Sequence, residues 1–380
     1  MQKITNLGIT KLTMLCLLTQ AMLVSNIVSQ DNAQSTRATC PQTCNTCDFL
    51  TVTLDAIESI LEQPAEVSPC AATPITPANF MDLTQTYTIT APGTYCLTNN
   101  IEGLIIIDSS DVTLDLNSFN LENFSNPGSN ISCTNHNNIT IKNGSLSGGF
   151  FGITITSCNG VQLLDLVLTR LNIVINKSNY ILLDNVTVTG ATQDGCDINT
   201  CQYVQIVDSV FSDRNNRGLS ATSSSNLLIS KSIFNDNNTN GFFADGSTTN
   251  LVLSDCVASG NASSGFVISS TNFSLDLCSA MNNQNFGFFI NGPIGTVTNC
   301  NAVGATSGDG FNIVGAQITV SNNQANHNAG RGFVGLNPSA HTHFYSNAAC
   351  NNTSSNYFNV AEPQLQLGNP NFAAGFNLSN

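Results

Sequence analysis

The chain has 380 residues, of which only 9% are charged, and acidic residues outnumber basic ones by 24 to 10. The net charge of −14 argues against a nucleic-acid partner, because phosphate binding requires clustered lysine and arginine. It also disfavours anionic membranes, and an acidic polysaccharide would need a local basic cluster or bound cations.

Residues 1–30 have the pattern of a secretory signal peptide. Lys3 and Lys11 precede an apolar stretch from Leu12 to Val28, and the small residues Ser25 and Ser29 lie near its end. Polar residues interrupt this stretch, so a retained membrane anchor is the weaker interpretation. We therefore predict a secreted or cell-surface protein with no membrane span after signal cleavage.

The segment 31–85 is rich in cysteine and contains an amphipathic helical pattern over residues 49–61, before Pro64. We predict a helix that caps one end of the structure that follows. Because export permits disulfide bonds, we favour them over a zinc site for the cysteines of this segment and for the nearby Cys96, with the pairing left open. These cysteines are Cys40, Cys44, Cys47, Cys70 and Cys96.

A repeat of about 23 residues organises most of the remaining chain. A bulky apolar residue, usually phenylalanine, follows most of the repeated glycines, and the third residue after each is also apolar. Since strand side chains alternate faces, the first and third residues should enter a core and the second should face outwards. The repeated glycines are Gly195, Gly218, Gly241, Gly265, Gly287, Gly310 and Gly332.

Each repeat also contains a second short apolar run, such as Leu251–Leu253, and turns rich in Asn, Asp, Ser and Gly. Two or three short strands per repeat of this length predict a parallel β-helix whose coils stack about 4.8 Å apart. Taking Leu104–Ile107 and Val112–Leu116 as the first coil, we predict roughly 10–11 coils. The predicted organisation is a β-helix over 86–360 and a C-terminal tail or cap over 361–380.

The segment from Tyr87 to Leu97, followed by Ile105–Ile107 and Val112–Asn117, resembles the first coils of right-handed parallel β-helix proteins of the pectin-lyase-like superfamily. The resemblance covers about Thr86 to Phe358. It implies an all-β, single-stranded, right-handed solenoid. It does not imply one function, because that superfamily includes lyases, hydrolases, epimerases, adhesins and structural proteins.

The segment from Gln193 to Asp197 resembles the Asn-Thr-Asp-Gly-x-Asp stretch of polygalacturonases, which carries a catalytic acid. Asp213 lies about one coil later, where those enzymes have paired aspartates, but their Gly-His-Gly and Arg-x-Lys segments have no match here. Asp194, Asp197 and Asp213 are the candidate acids of a hydrolase. Arg217 is the candidate base of a calcium-dependent lyase. The alternative is an ion-pair ladder between adjacent coils.

Several apolar residues fall in the outward column of the repeat. An exposed apolar row usually marks a covered surface. We therefore predict that the C-terminal tail or a second copy of the chain packs on the row Phe243, Val267, Phe289 and Val334.

Three cysteines, Cys256, Cys278 and Cys300, are spaced 22 residues apart and share one column. Stacked coils would bring them within disulfide range. A ladder of buried free thiols is equally compatible with this spacing, because free cysteine packs as a small hydrophobe.

These patterns predict an exported, non-catalytic adhesive or structural module whose partner is a polysaccharide or a cell-surface ligand. The alternative is a carbohydrate-active enzyme, a hydrolase or calcium-dependent lyase, acting on acidic polysaccharide. No cofactor is expected, and calcium enters only under the lyase alternative. The chain has no tryptophan and six tyrosines, which disfavours an aromatic platform for sugars.

Overall fold

The chain winds into a solenoid whose strands stack into two parallel sheets. The computed structural model describes residues 72–80, 85–124, 128–213, 216–335 and 342–360. The predicted signal peptide, the predicted capping helix at 49–61 and the predicted tail at 361–380 lie outside the described residues, as do Cys40, Cys44, Cys47 and Cys70. Within the described ranges, no helix is long and apolar enough to cross a membrane.

The smaller sheet has 13 strands and the larger sheet has 22, and a short 3-10 helix, Pro77–Phe80, precedes the first full coil. The strands of the smaller sheet are Thr86–Ile89, Leu104–Ile107, Ser129–Thr134, Phe151–Thr156, Ile173–Asn176, Cys196–Asn199, Leu219–Thr222, Phe242–Ala244, Phe266–Ile268, Phe288–Ile290, Phe311–Ile313, Arg331–Gly335 and Ser355–Phe358. Those of the larger sheet are Thr73–Ile75, Gly93–Leu97, Ile101–Glu102, Val112–Asp115, Asn120–Glu122, Asn137–Ser147, Asn159–Thr169, Asn179–Thr189, Gln202–Val207, Val210–Ser212, Ser225–Ser230, Ile233–Asn235, Thr249–Ser254, Val257–Ser259, Thr271–Asp276, Ser279–Met281, Gly295–Thr298, Asn301–Val303, Ile318–Ser321, Gln324–Asn326, His343–Tyr345 and Ala348–Cys350.

The fold makes about twelve turns, which corrects the predicted 10–11 coils. Thr86–Ile89 and Gly93–Leu97 form a coil before the predicted first one, and Ser355–Phe358 adds a strand at the other end. These terminal coils lack the glycine-phenylalanine pair that marks the repeat, so the pattern alone does not count them.

The predicted alternation of the glycine repeat is confirmed at its first and third positions. Phe266, Phe288, Phe311 and Phe333 lie opposite one another on successive strands and are fully buried. Their rings stack, with centroids 5.0, 4.7 and 4.8 Å apart. The repeat therefore builds a continuous column of aromatic rings through the core, where stacking adds to apolar burial.

Buried asparagines join successive coils at the turn before each of these strands. The Asn237 Nδ2 donates to Asn261 Oδ1 at 2.9 Å, and Asn261 Nδ2 donates to Asn283 Oδ1 at 2.9 Å. Each amide also donates to a backbone carbonyl of the preceding coil, as Asn261 Nδ2 does to Phe234 O at 2.9 Å. These bonds satisfy polar groups that the solenoid removes from water.

The three cysteines of one column are free thiols. Cys256, Cys278 and Cys300 are buried, and the Sγ of Cys300 donates to Thr298 O at 3.1 Å. A hydrogen bond between its thiol and Cys278, together with burial, raises the pKa of Cys256 above its usual range. Of the two alternatives that the spacing allows, the structure has the thiol ladder.

The predicted outward apolar row is not uniformly exposed. Val334 is fully buried, which corrects the prediction that it faces outwards; it lies in register between Asn312 and Phe358. Phe243 is half-buried because the Arg217 guanidinium covers its ring, with Cζ 4.0 Å from the centroid. Val267 and Phe289 are also half-buried. Self-association through this row stays a prediction.

Candidate functional site

Asp194 and Arg217 lie on adjacent coils at the turn that precedes the smaller sheet. The Arg217 backbone N–H donates to Asp194 Oδ1 at 2.9 Å, and its Nη1 lies 3.8 Å from Asp194 Oδ2. Nη1 also donates to Ser220 Oγ at 3.2 Å, while the guanidinium covers the Phe243 ring. Both carboxylate oxygens of Asp194 are therefore directed at Arg217.

Asp197 lies on the strand Cys196–Asn199, opposite Ser220 of the next coil. Burial raises the pKa of Asp197 above its usual value, the charge of Asp194 raises it further, and Arg217 opposes the shift. A carboxyl with a raised pKa is a candidate general acid. Chemically, this cluster could donate a proton, and this is the observation that favours an enzyme.

Asp213 is not part of this cluster. It is exposed, has φ of 54°, and lies on the turn after Val210–Ser212. In the stack of coils it stands between Gly190 and Asp236. The contacts among the described residues join Asp194, Asp197 and Arg217 and do not include Asp213.

The same arrangement of aspartate, arginine and phenylalanine occurs a second time, five coils away. The Arg331 N–H donates to Asp309 Oδ1 at 2.8 Å, and the Arg331 guanidinium lies 3.9 Å from the centroid of the Phe358 ring. Asn312 occupies the position equivalent to Asp197, and its Nδ2 donates to Asp309 Oδ2 at 3.0 Å. A contact that stabilises the stacking of coils is expected to recur along the solenoid. The second copy therefore favours a structural role for the Asp194 cluster.

The second copy predicts the effect of changing Asp197. Asp197→Asn should stabilise the protein by about 1 kcal/mol at pH 7, because the amide can donate to Asp194 where the carboxylate is repelled. Because the pKa of Asp197 is raised in the folded protein, ionisation of Asp197 lowers the stability of the folded state. The difference should therefore shrink as the pH falls and disappear by about pH 2.5, well below the unfolded pKa of about 3.9, where Asp197 is protonated in both the folded and unfolded chains. Thermal unfolding midpoints at both pH values measure it.

The reverse change at the second copy is the control. Asn312→Asp should destabilise the protein at pH 7 and much less at low pH, because it places a carboxylate beside Asp309. If Asp197→Asn were destabilising at pH 7, the charge of Asp197 would have a favourable role that this geometry does not predict.

A different surface, on the outer face of the larger sheet, carries a long groove. One side of the groove is formed by residues with left-handed φ, one from each coil, near the start of the coil's strand in the larger sheet. We call this row of residues the exposed ladder. The other side is the row of outward side chains of the same strands, including Gln162, Leu182 and Gln205. The members of the exposed ladder are Asp111, Asn138, Gly160, Tyr180, Tyr203, Asn226, Asn250, Asn272, Ile294 and Gln317.

The larger part of the groove has a volume of about 760 Å³ and lies beside Tyr180 and Tyr203. Their rings stack with centroids 4.9 Å apart and an interplanar angle of 5°, yet Tyr180 is 57% and Tyr203 49% exposed. A smaller groove of about 380 Å³ continues along the same two rows, beside Asn250, Asn272 and Gln317. Aromatic faces that remain in contact with water are available to a ligand.

The sequence patterns did not indicate this groove. With six tyrosines in the chain, the sequence did not suggest an aromatic platform for sugars. Tyr180 and Tyr203 are nevertheless 23 residues apart, and each precedes the apolar run of its strand. That spacing of exactly one repeat is the signal that could have placed their rings on adjacent coils.

The described residues contain no cluster of three or more histidine, cysteine, aspartate or glutamate side chains that could hold a metal ion. The lyase alternative requires calcium. Calcium binding stays a hypothesis of that alternative.

Comparison with known proteins identifies the fold. Residues 152–292 match the family model described as the right-handed β-helix region, and no curated protein matches the chain significantly. The Dettilon tailspike protein is similar over 75% of this chain and 68% of its own, with 9% identity and a TM-score of 0.50. The described part of this chain thus has the parallel β-helix fold, and residues 152–292 match the right-handed type.

Two enzymes are also similar in structure. The periplasmic alginate epimerase AlgG is 12% identical over 77% of this chain and 81% of its own, with a TM-score of 0.45. The hyperthermoactive exopolygalacturonase from Thermotoga maritima is 10% identical over 63% of this chain and 80% of its own, with a TM-score of 0.46. At these identities the likeness concerns the fold alone.

Proposed function

We propose that this protein is an exported β-helix module that binds an extended, neutral glycan in the groove of the larger sheet without chemical turnover. The observation that carries the proposal is the stacked and exposed pair Tyr180 and Tyr203, which lies beside the larger part of that groove. Sugar rings present apolar C–H faces that pack on aromatic rings, and their hydroxyls bond to amide and hydroxyl side chains.

The side chains along the groove favour a neutral ligand over an acidic one. Of the fourteen residues that line its larger part, none is basic, and the one charged residue is Asp111. The others that are polar, such as Gln162, Gln205 and Asn226, carry amides or hydroxyls that can both donate and accept. A polyanion would meet no compensating charge here, and the net charge of −14 would repel it.

The shape of the groove favours a chain-like ligand. Equivalent residues recur at each coil, about 4.8 Å apart, along a straight path. This spacing is close to the length that one sugar unit adds to an extended polysaccharide, so successive units can meet equivalent rows of side chains. The two parts of the groove share the same two rows, which supports one long site rather than two separate pockets.

The experiment is to measure binding of neutral hexasaccharides by isothermal titration calorimetry, with cellohexaose, xylohexaose, mannohexaose and laminarihexaose as probes. Replacing both Tyr180 and Tyr203 by alanine should weaken binding of the hexasaccharide that binds wild-type protein by roughly 30-fold or more, because a central aromatic contact is worth about 2 kcal/mol.

Tyr345→Ala provides the matched control. Tyr345 is 40% exposed and its ring lies 5.9 Å from that of His343, but it lines neither part of the groove. Its replacement should leave binding unchanged. Failure of all four probes to bind, or equal weakening by Tyr345→Ala, would contradict the proposal.

The rival function is a carbohydrate-active enzyme on acidic polysaccharide, favoured by the raised pKa of Asp197 beside Asp194 and Arg217. It is tested by incubation with polygalacturonate and alginate, with and without calcium, while reducing ends and unsaturated products are followed. Turnover that Asp194→Asn abolishes would replace the binding module with an enzyme.

A further inference from the structure

The exposed ladder is held together by contacts between neighbouring coils on both sides of one gap. Asn138 Nδ2 donates to Asp111 Oδ1 at 2.7 Å on one side. On the other, Tyr180 stacks on Tyr203, and beyond them Asn250 donates to Asn226 at 3.0 Å. Each of these residues therefore has a side-chain partner one coil away.

The gap lies at Gly160, which stands between Asn138 and Tyr180. The pairing of Asn159 with Asn137 and with Asn179 places Gly160 opposite these two ladder residues. Gly160 has φ of +73°, like the rest of the ladder, but it has no side chain to contact either neighbour. The Tyr180 ring is therefore backed by Tyr203 on one face and by no ladder side chain on the other.

The size of this gap suits one ring. Asn138 and Tyr180 are two coils apart, or about 9.6 Å at the usual strand spacing. A ring midway between them would lie about 4.8 Å from each, which matches the 4.9 Å between the Tyr180 and Tyr203 rings.

The gap also offers a hydrogen-bond acceptor. A Cβ placed on Gly160 would stand 3.1 Å from Asn138 Oδ1, so this oxygen is directed at the gap. The Asn138 amide nitrogen is already used by Asp111, which fixes the orientation of the amide. A hydroxyl on a ring in the gap can therefore donate to Asn138 Oδ1.

We propose that the gap at Gly160 is the subsite that holds one sugar ring of the glycan, stacked on Tyr180 and hydrogen-bonded to Asn138. The inference rests on the proposed function, because it names the position at which the glycan makes its most specific contact. It follows that glycine is needed at position 160 for binding and not for folding.

Gly160→Asn tests this directly. Asparagine tolerates left-handed φ, and its Nδ2 could donate to Asn138 Oδ1 as Asn250 does to Asn226, so the variant should fold. Its side chain would fill the gap. We expect the dissociation constant of the hexasaccharide that binds wild-type protein to rise at least tenfold, while a cooperative thermal unfolding transition shows that the variant is folded.

Gly190→Asn is the matched control. Gly190 has φ of +70°, and a Cβ there would meet only ordinary contacts, the nearest being Arg170 Cγ at 3.5 Å, on a turn that does not line the groove. This variant should bind like wild type. A second variant, Asn138→Ala, leaves the gap open and removes the acceptor, and should weaken binding about fivefold or more.

The outcomes separate this inference from the proposed function. If Gly160→Asn binds as tightly as wild type while the Tyr180 and Tyr203 double variant does not, the groove binds the glycan but the gap is not a subsite. If no hexasaccharide binds wild-type protein, both proposals are wrong. Loss of binding in Gly160→Asn alone among the two glycine variants supports the subsite.

Discussion

Phe288→Ala is expected to lower the free energy of unfolding by about 4–5 kcal/mol. The ring is fully buried, and its stacking partners Phe266 and Phe311 lie 5.0 and 4.7 Å away on either side. Removing it would leave a cavity in the middle of the aromatic column and would break two stacked pairs at once. Urea unfolding followed by circular dichroism measures the change.

The neighbouring Phe289→Ala is the control for this prediction. Phe289 follows Phe288 on the same strand but points to the other face, where it is half-buried and packs on Phe286 at 5.4 Å. Because Phe289 buries less apolar area than Phe288, its replacement is expected to lower the free energy of unfolding by about 1–2 kcal/mol. Similar losses for the two variants would mean that the aromatic column does not dominate the core.

Asn261→Ala is expected to destabilise the protein by about 3–5 kcal/mol, although it removes no charge and little apolar area. The side chain accepts from both the backbone N–H and Nδ2 of Asn237, and it donates to Phe234 O and Asn283 Oδ1. All of these groups are buried, so alanine would leave several of them without a partner, at about 1–3 kcal/mol for each group so affected.

Asn250→Ala separates the effect of burial from the effect of the amide. Asn250 also bonds to asparagines of both adjacent coils, but it lies on the exposed ladder, where water can replace its partners. Its loss should cost less than about 1 kcal/mol. If the two variants lost similar stability in urea unfolding, the buried asparagines would not be the contacts that join the coils.

These two ladders show why similar sequence patterns have different roles in this protein. Asn261 and Asn250 each belong to a series of asparagines spaced by one repeat, but one series faces the interior and the other lines the groove. The interior series stabilises the stack of coils. We expect the exposed series to contribute little to stability, which would allow tyrosine and glycine to take some of its positions and a ligand site to form.

The core of the coils could be predicted from the sequence because it depends on local alternation and on a fixed period. Phe288 and Ile290 point inwards and Phe289 points outwards, as the strand pattern indicates, and the period places Phe266 and Phe311 on either side of Phe288. The same reasoning was wrong for Val334, whose burial depends on the coil that follows it. It also gave too few coils, because those at each end do not carry the repeat, although they lie within the predicted bounds of 86–360.

The candidate sites could not be predicted from the period of the repeat alone. The sequence singled out Asp194, Asp197 and Arg217, and the structure places them together, but it also shows the same contacts at Asp309 and Arg331. An Asp-Gly followed one repeat later by Arg-Gly occurs at both places, and this recurrence was visible in the sequence. Its meaning was not, because only the contacts show that arginine joins the aspartate of one coil to a phenylalanine of another.

The sequence by itself therefore determined the solenoid, its period and most of its interior, because in a repeat fold each residue's neighbours are the equivalent residues one period away. Only the tertiary structure decided which surface is available to a ligand. The groove exists because the left-handed residue at the start of each strand places a second row of side chains beside the outward row, and its larger part is lined by Tyr180, Tyr203 and Gly160, which has no side chain. That combination arises from three successive coils, and no single repeat contains it.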